Sequence, residues 1–586
     1  MKKDKNWLFA MMLSIIMAAA TLGVIPSQAF GAGEQADAEG SQIDPASAAA
    51  ASASMFQLNV RIPTDGSTFL LPTSGGLIRV TYGKAFNWVV EWGDGSTLVA
   101  AGVSSEGGGI PHSYRSAGEY TITIRPNGST EAWLAAFGFY AGLSGSNSPV
   151  NKAMMTSVTG PITPDMTRSA AQVSGISAAP TYEWYCAFYD CANLRQAPLF
   201  VGWEGIASVG DGFAQNMFCG CASLASLPAG FNLPGGIIRV GQAFASGMFT
   251  RCTSLASLPA GFNFPQGITD AGSMFASSMF YSCTSLGRLP DGFRFPQGIR
   301  TADDYFAAQM FFNCTSLYQL PAGFNMPQSL TVARSYFARE MFDNCVNLGR
   351  MPDGFNLPQN LSTTGDSFAA SMFRSCSSLD RLSTGFNFPQ KLTSVGADFA
   401  SYMFAYCTSL GNLPAGLNLP QNITKAGNNF AYGLFFMAGG PNFQVNLEFV
   451  LPALLARNYV GAFCFYSFYL SSLVPVQNRM AASIIGNCPT PSGGNPTFDS
   501  HFRDIEYLPV QWGGGGLAYE NTGAPRSGDL NGDGMVTIDE VLIATQAAVD
   551  NMELTPAQMA ALDIDGDGRI TMADIVAMTK LLYKIL

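Results

Sequence analysis

The feature that most restricts this chain is a period. Between residues 213 and 438 one unit of 31 residues recurs almost without slippage, marked by Cys221, Cys252, Cys283, Cys314, Cys345, Cys376 and Cys407. Met-Phe precedes each cysteine (Met279-Phe280 before Cys283) and a leucine follows it (Leu286). Leu-Pro and then Gly-Phe-Asn-x-Pro close most units, as in Gly261-Phe262-Asn263-Phe264-Pro265. Self-similarity at such a period signals a solenoid, in which each unit buries its apolar face only against its neighbours.

Positions common to all units point inward. Phe275-Ala276 and Met279-Phe280 place apolar groups at i, i+1, i+4 and i+5, the spacing of a helical face. Leu-x-x-Leu-Pro-x-Gly-Phe reads as a short strand ending in a turn. Each coil is therefore expected to hold one helix and one strand, giving an α/β solenoid with a strand ladder about 35 Å long. Cysteines on a helical side would lie about 8–10 Å apart between coils. That exceeds the roughly 4.4–6.8 Å between Cα atoms that a disulfide tolerates, so buried free thiols are expected. A line of one cysteine per coil does not converge on a metal. Cys186 with Cys191, and Cys464 with Cys488, are the disulfide candidates outside the ladder.

The run Met279-Phe280-Tyr281-Ser282-Cys283-Thr284-Ser285-Leu286 resembles the BspA-like leucine-rich repeats of bacterial surface antigens, with a longer unit. The resemblance implies an exported or surface-held protein that binds other macromolecules, its protein or glycan ligand unknown. Positions before the cysteines that vary between coils (Arg251, Tyr281, Phe312, Asp343, Arg374 and Tyr406) are candidate contacts, set against ordinary solvent-facing variation.

The flanks of the solenoid differ from it. Lys2, Lys3 and Lys5, the apolar run Trp7 to Ile25 and Ser27-Gln28-Ala29 make residues 1–29 a secretory signal or, uncleaved, an anchor. Residues 30–54 form an Ala/Ser-rich linker, and no later segment is apolar enough to span a membrane. Only 12% of residues are charged, the net charge is −11, and no basic run follows the N-terminus. Nucleic acid is excluded as a partner on that ground.

Residues 56–128 alternate as strands, in Phe56–Ile62 and in Tyr120–Ile124. The series Trp88 to Ser96, His112-Ser113-Tyr114 and Gly118-Glu119-Tyr120 resembles the polycystic-kidney-disease (PKD) type β-sandwich, implying a spacer or cap. Asp94-Gly95 is a hairpin signal. Asp94 and His112 are read as a turn former and a core-edge residue rather than a catalytic or metal pair. Residues 131–212 read as an N-terminal cap with degenerate repeats (Phe188 to Leu194) and 439–512 as a C-terminal cap containing His501. A Gly-rich linker, 513–527, follows.

Residues 528–586 carry the sharpest chemistry. Asp529, Asn531, Asp533, Met535 (through its carbonyl), Thr537 and Glu540 fall at positions 1, 3, 5, 7, 9 and 12 of an EF-hand loop, with Gly534 at the sharp turn. The loop returns 34 residues later with Asp563, Asp565, Asp567, Arg569 (through its carbonyl), Thr571 and Asp574. Hard oxygen donors at this spacing select Ca²⁺, one ion per loop and two in all. An apolar helix is expected after each loop, at Val541–Val549 and Ile575–Leu582.

Two loops, each followed by a helix, resemble a type I dockerin. That implies a small all-α, EF-hand-like module, folded by calcium, that docks a helix face on a cohesin of a scaffold or wall protein. By position the cohesin contacts would be Ile538, Asp539, Thr545 and Gln546 in one half, and Met572, Ala573, Thr579 and Lys580 in the other. The chain is thus expected to be a multidomain, secreted, non-catalytic binding protein held at a cell surface through cohesin. Its competitor is an enzyme or component of a polysaccharide-degrading, cellulosome-like complex. No nucleophile motif or zinc cluster is visible, but a glycosidase needs only two carboxylates.

Overall fold

The computed structural model describes residues 55–73, 85–128 apart from 106, 133–139, 145–166, 184–441 and 443, and in the C-terminal module 536, 538–550, 554, 556–564 and 569–583. The signal and linker (1–54), most of the C-terminal cap, the Gly-rich linker, and Cys464 and Cys488 lie outside the described residues.

The N-terminal region forms two antiparallel sheets. Strands β1 (Phe56–Ile62), β3 (Ala85–Glu91), β4 (Thr97–Val103) and β6 (Gly118–Pro126) join a later strand, β7 (Met155–Val158), in the order β4-β3-β6-β1-β7. The other sheet pairs β2 (Thr68–Pro72) with β5 (Gly109–Ser113). Alternation on β1 buries Phe56, Leu58, Val60 and Ile62 on one face, where Trp88, Trp92 and Tyr114 join them. Between the sheets' last strands, helix α1 (Pro149–Ala153) starts on the Ser148 cap, and its Asn151 side chain hydrogen-bonds both backbone groups of Leu70 at 2.8 and 2.9 Å.

The expected boundary at 128 is not a break. β7 pairs antiparallel with β1 on one side and, at Ser157, parallel with Gln196 of the first degenerate coil on the other. A second junction runs from Thr73 to Gly138 and from Phe139 to Phe188, all parallel bridges. The solenoid ladder thus begins on the β-domain's own sheets, which cover the core that an open first coil would expose.

Within the solenoid the expected helix is absent, and the α/β description is corrected there. The Phe-Ala-x-x-Met-Phe stretch is a ribbon of overlapping turns. Every second N–H donates to the following coil (Ala276 to Phe306 O, 2.8 Å; Ser278 to Ala308 O, 2.8 Å; Phe280 to Met310 O, 2.9 Å). The intervening N–H groups close turns three residues back (Met279 to Ala276 O, 3.3 Å; Tyr281 to Ser278 O, 3.0 Å). Left-handed residues recur every four positions, at Met274 (φ 58°), Ser278 (φ 56°) and Ser282 (φ 55°). Helices pack about 8–10 Å apart, whereas the other sides of the coil are strand ladders rising about 4.8 Å per coil. Only a ribbon with strand-like spacing keeps all sides in step.

Those other sides are two parallel ladders. One runs through Ser257, Arg288, Gln319, Arg350 and Arg381. The second contains β8 (Asp270–Ala271), β9 (Thr301–Ala302) and β10 (Val332–Ala333), then β11 (Ser394–Val395) and β12 (Lys425–Ala426), linked through Thr363 and Thr364. Between them the apolar side chains stack by column. From Phe218 to Phe435 successive Met-Phe rings lie 5.4–5.6 Å apart and nearly parallel. Phe244 to Phe430 form another such column at 5.0–5.7 Å.

The ladder cysteines are buried free thiols, but not for the reason of distance. At strand spacing neighbouring Cα atoms fall within the range a disulfide spans. What separates the sulfurs is aim. Each thiol donates to the Phe carbonyl of the preceding coil, as Cys314 does to Phe280 O at 3.0 Å, an oxygen that also accepts the Cys283 N–H at 3.0 Å. Burial lifts these thiols well above their ordinary pKa, Cys283 among them, so they stay protonated donors. Cys186 and Cys191 are also free and buried, so their suggested disulfide is not formed.

A polar ladder escaped the sequence reading. In Gly-Phe-Asn-x-Pro, Asn356 Oδ1 accepts the Leu357 N–H and the Asn387 N–H, both at 2.9 Å, and its Nδ2 donates to Gly385 O at 2.8 Å. The recurrent Gln after the proline does likewise: Gln359 Nε2 reaches Leu357 O at 2.9 Å and Asn387 O at 3.0 Å. Arg294 interrupts the Asn column, supplying no side-chain carbonyl for the next coil. Arg294→Asn is therefore expected to stabilise the solenoid by about 1–2 kcal/mol. A urea midpoint that fails to rise would refute the ladder's energetic role.

Candidate calcium and docking site

The C-terminal module is built from α2 (Ile538–Asp550), α3 (Pro556–Leu562) and α4 (Met572–Tyr583). α2 and α4 contain the two expected helices; α3, between the loops, was not foreseen. Ala544, Leu562, Ile575 and Met578 form its core, and Val536 and Ile570 pack against them. Those last two occupy equivalent places in the two loops, so each loop is pinned by an apolar side chain to the same core.

Asp529, Asn531, Asp533, Met535, Thr537, Asp565 and Asp567 lie outside the described residues. The residues that end the loops are described. Asp574, wholly buried, accepts the Ile564 N–H on Oδ1 at 2.8 Å and the Thr571 N–H on Oδ2 at 2.8 Å. Thr571 Oγ also donates to Oδ2, at 3.1 Å. Thr571 and Asp574 thereby form the backbone half of a capping box at the start of α4, where helix polarity favours a carboxylate. The same carboxyl ties position 2 of the loop to position 9. Asp563 begins the loop where α3 ends, its N–H donating to Met559 O at 2.9 Å. Glu540, the equivalent of Asp574, is likewise buried. Four carboxylates and a hydroxyl, all hard oxygen donors, make the second loop's set fit a calcium ion.

The candidate cohesin contacts fall in matched places: Ile538 and Asp539 open α2, Met572 and Ala573 open α4, and Thr545, Gln546, Thr579 and Lys580 follow two turns on. Met572 is 66% exposed. Val576, one turn further and 46% exposed, extends that apolar strip and was missed, although its i+4 spacing was legible. Thr545 Oγ donates back to Val541 O at 2.7 Å, which ties its hydroxyl to its own helix.

Elsewhere, His112 Nε2 and Asp94 Oδ2 lie 2.8 Å apart, with the imidazole stacked 4.4 Å from Trp92. Burial tends to raise the Asp94 carboxyl, but hydrogen bonds from Ser96 and His112 outweigh it and hold it at about 2. The pair fastens a turn to the core. On the ribbon face several candidate contacts are already engaged within the chain. Tyr281 stacks on Phe312 at 4.8 Å, Arg251 pairs with Asp190 at 3.1 Å, and Arg374 with buried Asp343 at 2.6 Å. Burial pushes Asp343 up to about 6 against the pull of Arg374.

Fold and site together define a multidomain repeat protein with a small helical C-terminal module. Residues 527–583 match the family model of the dockerin type I domain. Domains of this type generally bind calcium, and their presence implies attachment to a cohesin and assembly into a cellulosome-like complex. No curated protein matches the chain. Among solved structures, a leucine-rich repeat protein from Bacteroides ovatus is 17% identical, covering 48% of this chain and 86% of its own, with a TM-score of 0.13. No helix among the described residues is long and apolar enough to cross a membrane.

Proposed function

We propose that this is an exported, non-catalytic display protein. Its C-terminal module holds a cohesin in a calcium-dependent way, while its solenoid, of BspA-like kind and capped by a PKD-like β-domain, presents a protein- or glycan-binding surface. The observation that carries this reading is the Asp574 clamp, which joins loop and helix through one buried carboxylate. In it Asp529, Asn531, Asp533, Met535 O, Thr537 and Glu540 hold one calcium, and Asp563, Asp565, Asp567, Arg569 O, Thr571 and Asp574 the other. The bound ions neutralise the acidic loops and fix the directions of α2 and α4. Ile538, Asp539, Thr545 and Gln546, or Met572, Ala573, Thr579, Lys580 and the exposed Val576, then meet the partner.

The test is capture of the full chain on an array of cohesins with and without chelator. Capture is expected to require calcium and to disappear in the Asp529→Ala, Asp563→Ala double variant, with the solenoid's melting unchanged. Chelator-resistant capture would sink the docking reading.

A further inference from the structure

We propose that one exposed strand column of the solenoid is a binding site for a linear acidic polysaccharide, a polyuronate. This rests on the reading of the solenoid as a ligand-presenting surface and names the ligand class.

Two neighbouring columns follow the buried leucine after each cysteine. One contains Arg288, Gln319, Arg350 and Arg381, joined by consecutive parallel bridges and all exposed. Like charges set directly opposite across strands repel, and Arg350 and Arg381 are such a pair. Among the described residues none of the three guanidinium groups has an ion-pair or side-chain hydrogen-bond partner. Asp380 stands beside Arg381, and Asp291 and Asp353 lie three residues beyond Arg288 and Arg350, yet none pairs with them. Arg251, Arg334, Arg339 and Arg374 elsewhere in the solenoid each hold a carboxylate; Arg239 and Arg300 also lack an ion pair among the described residues, but neither belongs to this column. An unpaired cationic row in a chain of net charge −11 asks for an external anion.

The second column supplies the sugar-binding element. Tyr318 is 51% exposed, with glycines in the flanking coils. Its ring covers Gly287, where a Cβ would lie 3.4 Å from the ring edge. At Gly349, one coil further, a Cβ would meet nothing within 4 Å, so the space beyond the ring is open. An aromatic ring backed by glycine, beside guanidinium groups one and two coils apart (about 5 and 10 Å), suits a polymer with both sugar faces and regularly spaced carboxylates. Arg is the residue suited to carboxylates, through its planar donor fork. Gln319 adds an amide for hydroxyl groups.

The test is affinity electrophoresis of the full chain at low salt through gels containing polygalacturonate, its fully methyl-esterified form, or polyphosphate. Polygalacturonate is expected to retard the wild type and the ester not to. The triple variant Arg288→Gln, Arg350→Gln, Arg381→Gln should lose about tenfold or more in affinity, and Tyr318→Ala about tenfold, each with an unchanged far-UV spectrum. Retardation should fade with salt as exposed charges are screened. A wild type that polygalacturonate does not retard, or a triple variant retarded equally, overturns the proposal. So does equal retardation by polyphosphate with no effect of Tyr318→Ala, which would leave charge alone. If wild type and triple variant bind another glycan or a protein equally well, the proposal falls while the display reading stands.

Discussion

Asp574→Ala is expected to abolish calcium-dependent cohesin capture while the solenoid melts as before. The carboxylate is wholly buried and accepts backbone N–H groups from Ile564 and Thr571. Hydrogen bonds to a charged group contribute about 1.5–3 kcal/mol each. Two of them approach the whole stability of a module this small. Removing the side chain also takes an oxygen donor from the second loop and uncaps α4, so calcium cannot restore what is lost. Isothermal titration of the full chain with calcium should lose at least half of its heat. Wild-type calcium affinity and cohesin capture in this variant would overturn the role assigned to Asp574.

The second large effect is in the solenoid. Phe311→Ala is expected to cost about 3–5 kcal/mol, because Phe311 is fully buried and stacked between Phe280 and Phe342 at 5.4 Å on each side. Phe312→Ala, one residue on, removes a half-exposed ring that touches Tyr281, and should cost about 1 kcal/mol. In a stack whose coils touch only their neighbours, the inner gap weakens both adjoining interfaces. Urea unfolding of the two variants measures the contrast; equal midpoints would dismiss the column packing as the source of stability.

That pair also marks how far the sequence could be read. Seven-fold recurrence picks Phe311 out as core and Phe312 as variable, and burial follows that division. The recurrence did not reveal the backbone path, because apolar groups at i and i+4 satisfy both an α-helix and a ribbon with a left-handed residue every fourth position. Nor did it reveal the Asn and Gln ladders, since a polar residue repeated in every unit looks the same whether it faces water or the next coil's backbone. The two acidic loops and their twelve-residue spacing were legible in the sequence alone. The clamp between Asp574 and Ile564 was not, because it depends on how the loop folds back over the start of α4.

By itself the sequence determined the solenoid, its core columns and the paired acidic loops, because those follow from periodicity and from which atoms can hold a hard cation. Only the tertiary structure decided that the β-domain's sheet continues into the ladder and that the cysteines aim at Phe carbonyls. It also decided that Arg288, Arg350 and Arg381 share one exposed row, unpaired among the described residues, with Tyr318 beside it. The reason is physical: strand spacing on two sides of each coil dictates the rise of the third, and that rise sets which side chains meet.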